Sequence, residues 1–144
     1  MNLTEHFTVE EFTASDTARQ LGIINSVMDH HLPALMATAL GMEQVRALFG
    51  RPIIITSGYR NPAVNAAVGG VPNSAHALGW ACDFHVHDLP DINAARAIRD
   101  SRLVFDQLIY EAGRCVHLAF GPELRRQVLR QPGGPGSPVI AGLE

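Results

Sequence analysis

The chain contains no lysine: its eleven basic residues are all arginine, set against fourteen acidic ones for a formal net charge of -3. That balance leaves no broad basic footprint for nucleic acid or for an anionic lipid surface, so neither is expected as a partner. Cysteine is nearly as scarce. Cys82 and Cys115 are the only two, too few for the dense disulfide framework of a small secreted domain, and nothing in their spacing argues for a bridge. No apolar run approaches the length of a membrane span, so membrane insertion is not expected. The opening MNLTEHFTVEEF lacks a basic start followed by an apolar stretch, so no signal peptide is expected and synthesis should be cytoplasmic. A Gly-rich phosphate loop and a Gly-x-Ser-x-Gly nucleophile elbow are both missing. Val68-Gly69-Gly70 supports a turn and nothing more.

What is present is a globular composition. With 144 residues, 47% of them hydrophobic and 17% charged, the chain suits one domain with a real core. Thr8 and Glu11 have the spacing of a capping box, which predicts a short helix ending near Gly22. Leu32, Leu35, Met36, Ala39, Leu40, Val45 and Leu48 recur at helical spacing, with Pro33 in the first turn and Gly50 as terminator. Arg51–Thr56 turns β-branched and reads as a buried strand. Residues 57–75 read mainly as ordered loop, and Trp80–His87 as a second strand. Asp91–Arg102 is helical, with Ala95, Ile98 and Leu103 as inward residues. Phe105–Glu111 and Cys115–Phe120 read as strands joined by the hairpin loop Ala112-Gly113-Arg114. A short helix is expected over Pro122–Arg130, and residues 132–144 as a Pro/Gly-rich tail beyond a single domain of residues 1–131. Helices first, then strands interrupted by one helix, predict an α+β fold: a small antiparallel sheet with helices packed on one side.

The chemistry concentrates in VPNSAHALGWACDFHVH, residues 71–87, which holds three of the seven histidines. A catalytic zinc needs three protein ligands and an open position. His76 and Asp83 stand seven residues apart, with the small residues Gly79 and Ala81 between them to let backbone pack close to an ion. His117, on a later strand, joins them if that strand pairs beside the first. A rival set is Asp83, His85 and His87, which alternate along one strand face. Asp83 and His87, however, would lie about 13 Å apart, too far to share an ion without a bend. His85 and His87 are therefore read as bystanders, His30-His31 as a solvated pair, and Cys82 as a core thiol. Cys115 shares a strand face with His117 and borders the site.

The ordered set Ser74-x-His76-x-x-Gly79-x-Ala81-x-Asp83 followed by Val116-His117 resembles the zinc D-Ala-D-Ala carboxypeptidase and L-alanyl-D-glutamate endopeptidase family, with its hedgehog/DD-peptidase fold. Ser57-Gly58-Tyr59-Arg60, Phe105–Glu111 and the opening residues HFTVEEFTASDTARQLGI resemble it too, the last in its small single-domain branch. The resemblance spans about residues 6–120 and implies a zinc peptidase that cleaves peptide bonds in bacterial peptidoglycan, as many phage endolysins do. It implies one zinc ion, held by His76, Asp83 and His117. It makes Arg60 the group that holds a substrate carboxylate or carbonyl, for which a guanidinium fork is suited, and Ser74 a residue that bonds substrate or orients the loop.

The sequence departs from the family at the general base. Many relatives carry Glu three residues before the final His and Trp directly before it; here those positions are Arg114 and Val116. Glu111 is the candidate by register. With a three-residue loop, Glu111 faces Cys115 and Ile109 faces His117, so Glu111 and His117 share a side as diagonal neighbours, about 7–8 Å apart at the backbone. The resemblance implies a peptidoglycan peptide as substrate, and a monomer acting at the bacterial cell wall or periplasm is expected. The alternatives are a non-catalytic zinc-containing binding or structural module on the same fold, such as a phage virion component, and a His-x-His metalloprotein of cupin type.

Overall fold

A computed structural model describes residues 1–144. The N-terminal segment folds as expected from its caps. Thr8 Oγ1 accepts from the Glu11 amide at 3.1 Å and Glu11 accepts in return from the Thr8 amide at 3.1 Å, starting α1 (Val9–Thr13). Ser15 caps α2 (Asp16–Leu21), which ends at Gly22 in the left-handed region, φ 68. α3 (Leu32–Phe49) carries Pro33 in its first turn and stops at Gly50. Its inward stripe differs from the sequence reading. Leu35, Ala39, Met42 and Val45 are fully buried, whereas Leu32, Met36, Leu40 and Leu48 are exposed. Those four lie outside the buried stripe, a distinction that spacing alone does not draw.

The remaining elements are β1 (Ile53–Ser57), α4 (Pro62–Ala67), α5 (Ala75–Leu78), β2 (Ala81–Val86), α6 (Asp91–Asp100), β3 (Gln107–Glu111), β4 (Cys115–Ala119), β5 (Gln127–Gln131) and β6 (Ile140–Ala141). The six strands form one sheet in the order β1-β2-β4-β3-β5-β6. Strand alternation divides it into two faces. Cys82, Phe84, Val86, Leu108, Val116 and Leu118 join α3 and α6 residues such as Met42, Ala95 and Ile98 in one apolar cluster. Asp83, His85, Ile109, Glu111, Cys115 and His117 occupy the alternate positions. The fold class is α+β, as the element order predicts.

Three departures from the sequence reading concern the periphery. The stretch 57–75 holds the short helix α4, whose start is signalled by Asn61 as cap, accepting from the Val64 amide at 3.0 Å, and by Pro62 in its first turn. The helix expected over Pro122–Arg130 is instead an extended run into β5, which pairs parallel with β3, so the sheet is mixed and not wholly antiparallel. Asp106 clasps this approach: Arg125 Nε and Nη2 donate to its two oxygens at 2.7 and 2.9 Å. Finally, the chain beyond Gln131 returns as β6 on the outer edge of β5, and Leu143 is buried with the core cluster. No helix is long and apolar enough to cross a membrane.

Candidate metal centre

Asp83 and His117 are direct cross-strand partners in the β2–β4 pair. Their side chains therefore rise from the same face, and His117 Nδ1 lies 2.9 Å from Asp83 Oδ1. His76 arrives from a different direction. It sits in α5, a single turn started by Ser74, whose hydroxyl accepts from the Ala77 amide at 3.2 Å. Ser74 thus caps the turn that carries His76. The turn closes at Gly79, whose φ of +88 favours glycine and where an added Cβ would stand a tight 3.1 Å from the His31 carbonyl oxygen. Thr38 on α3 donates to the Gly79 carbonyl at 2.7 Å and fastens that corner to the long helix.

His76 Nδ1 donates to the Gly58 carbonyl at 2.8 Å. That bond fixes the tautomer and leaves Nε2 as the free lone pair, a frequent arrangement behind metal-ligating histidines. Nε2 points at Asp83 Oδ1, 3.3 Å away. The ligand atoms of His76, Asp83 and His117 lie within 4.8 Å of one another. A tetrahedral ion with bonds of about 2.0–2.1 Å sets its ligand atoms about 3.3–3.4 Å apart. Two imidazoles and one carboxylate at this spacing fit a single zinc-like ion with one position left for another ligand.

Electrostatics agree with this geometry. Burial would raise the Asp83 pKa, but His76 and His117 outweigh it and hold the carboxyl well below the usual range. Burial would lower the His76 pKa; Asp83 outweighs that, and the net shift is upward. Glu111 moves the other way: burial, then the negative charge of Asp83, raises its pKa.

The hairpin has the predicted register, Glu111 opposite Cys115 and Ile109 opposite His117. Glu111, Asp83 and Cys115 bring their ligand atoms within 4.8 Å of one another. Cys115 therefore borders the centre on the Glu111 side, outside the His76, Asp83 and His117 group. Burial and the charges of Asp83 and Glu111 push its thiol pKa upward. Both cysteines are free.

Arg60 follows β1 and donates its amide to the His76 carbonyl at 3.2 Å. Arg60 lines a polar cleft of about 210 Å³ with Ser15, Thr17, Thr56 and Ser57. Its Nε is buried without a hydrogen-bond partner. Burial lowers its pKa, opposed by Asp83, which places its charge in electrostatic reach of the centre. A larger hollow of about 340 Å³, lined by His31, Asn65, Ala77, Leu78 and others, contains none of the three ligand candidates. The rival histidines lie elsewhere. His85 pairs with Asp91 at 2.9 Å, and His87 is exposed. Arg114, which carried no role in the sequence reading, ion-pairs with Glu111 at 3.1 Å.

An α+β domain that gathers two imidazoles and a carboxylate on one sheet face, with a second carboxylate beside them, is equipped for metal-assisted hydrolysis. The family model for Peptidase M15 matches residues 5–119, and the chain belongs to that family of zinc-dependent peptidases. No curated protein matches it.

Proposed function

We propose that the chain hydrolyses peptide bonds in the stem peptides of bacterial peptidoglycan, using one zinc ion held by His76 Nε2, Asp83 and His117. The observation that carries this reading is Glu111. It stands beside Asp83 at the edge of the ligand group, with a pKa raised by burial and by that neighbouring charge. Zinc bound there supplies a polarising charge for the scissile carbonyl and lowers the pKa of a water. Glu111 would take a proton from the attacking water and return it to the leaving amine. Its raised pKa brings it nearer to the balance that both steps need. Asp83 stays ionised at any working pH because two imidazoles face it. Arg60, with no carboxylate partner of its own in the protein, pairs with a carboxylate of the substrate, and stem peptides carry several. The protein acts as a monomer at the cell wall, in the manner of an endolysin.

Glu111→Gln tests the reading. The variant should bind about one zinc per chain, as a three-ligand site requires, and release no new amino groups from purified peptidoglycan. Mass spectrometry of the muropeptides produced by the wild type identifies the bond cut. A Glu111→Gln protein that still hydrolyses would remove Glu111 as the base.

One observation favours a second reading, a non-catalytic zinc module such as a virion component: Arg114 already engages Glu111. Wild-type protein that holds zinc yet leaves peptidoglycan intact would decide for it.

A further inference from the structure

Arg114 lies in the loop between β3 and β4, and its contacts lead out of the matched residues 5–119. One terminal nitrogen, Nη1, lies 3.1 Å from Glu111 Oε1. The other, Nη2, donates to Gln131 Oε1. The third, Nε, is buried without a partner, so the guanidinium is held by its two outer nitrogens alone. Gln131 Nε2 donates in turn to the Ser137 carbonyl at 2.9 Å. The amide has only one orientation that serves both neighbours, because arginine can only donate and a carbonyl can only accept.

The backbone reinforces this line. Glu111 and Gln131 are register partners in the parallel β3–β5 pair, so their side chains leave the same face. The Ala112 amide donates to the Gln131 carbonyl at 3.1 Å. Ser137 is itself fixed by a turn in which its hydroxyl donates to the Gly134 carbonyl at 2.6 Å.

We infer that Arg114 and Gln131 are positioning residues for Glu111: a relay from the Ser137 carbonyl through Gln131 and Arg114 sets where the carboxylate sits beside the metal ligands. The C-terminal residues beyond the matched region then contribute to turnover without touching substrate. This inference rests on Glu111 being the base. Gln131 holds the far side of Arg114, so without it the guanidinium can swing and the carboxylate with it. Placement errors near 1 Å can cost about a hundredfold in rate.

The test uses Gln131→Met and Arg114→Met, which keep length and remove the polar contacts. Gln131→Met should lower kcat on the order of tenfold, between no effect and that upper cost, with KM, zinc content and thermal midpoint near wild type. Arg114→Met should cost more. The double variant should be no worse than Arg114→Met alone, because the Gln131 effect passes through Arg114. Arg114→Lys should recover part of the rate. Wild-type kcat in Gln131→Met overturns the relay, and so do additive losses in the double variant. Should Arg114→Met not fold, Gln131→Met alone still decides. An active Glu111→Gln protein would sink the base assignment instead, whatever Gln131 does.

Discussion

Gly58 meets two demands at once. Its carbonyl accepts from His76 Nδ1, and a Cβ at its α-carbon would stand 2.5 Å from the Phe12 carbonyl oxygen and 2.9 Å from the Phe12 α-carbon. Both obstacles are backbone, so Gly58→Ala must move the loop that orients His76. We expect a loss of about 1–3 kcal/mol in stability, the usual cost of overpacking, together with weaker zinc binding measured by competition with a chelator. A fall in stability with unchanged affinity would separate the two demands. His76 also sets the pH response. Asp83 holds its pKa up, and a proton competes with zinc for Nε2. As pH is lowered, zinc affinity should therefore begin to fall while still above the ordinary histidine value of about 6.5, by about tenfold per pH unit for each proton displaced. In chelated protein the sign is opposite. The protonated His76 stabilises the fold fully below about pH 6.5, and that contribution fades as pH rises through the raised value. Chelated and zinc-loaded protein should thus converge in thermal midpoint at acid pH and separate at neutral pH. At this scale much of the centre is legible in sequence. A three-residue loop fixes the faces of Glu111 and His117, and the small residues Gly79 and Ala81 mark the close packing around His76 and Asp83. Arg114 is not legible, because Gln131 becomes its neighbour only through pairing between β3 and β5.

At the scale of elements, the segment from Pro122 onward shows where local pattern loses to tertiary context. Leu, Arg and Gln in residues 124–131 favour helix, yet β3 presents an open edge to them and the run extends to fill it. Propensity differences of tenths of a kcal/mol per residue are small against a row of backbone hydrogen bonds. The outer edge of β5 in turn captures β6, and Leu143 is buried in the core just beyond it. Its substitution by Ala should cost about 2–3 kcal/mol, toward the low end for a buried leucine because the chain end can relax. The measurement is a urea titration. No change would mean that residues 132–144 hang free of the fold, and the relay from Ser137 would lose its footing. α4 was signalled by Asn61 and Pro62, but its few residues are too short for any apolar periodicity to declare them.

For the molecule as a whole, a ligand bound only by the folded chain adds stability by mass action. With free zinc about a thousandfold above its dissociation constant, the gain is about 4 kcal/mol. At about 2–4 °C per kcal/mol for a domain near this size, chelation should lower the thermal midpoint by roughly ten degrees. Asp83→Asn should remove most of that difference, and a midpoint indifferent to chelator would argue against a resident ion.

β4 lies between β2 and β3 in the sheet although it follows both in the chain. His117 therefore meets Asp83 only through the pairing of β4 with β2. A ribosome-bound chain has no hydrolytic centre until β4 has emerged and inserted, and a truncated product ending before it has only two of the three ligands. We expect a product cut short before Cys115 to bind zinc weakly and to hydrolyse nothing, because the candidate centre spans strands far apart in the chain.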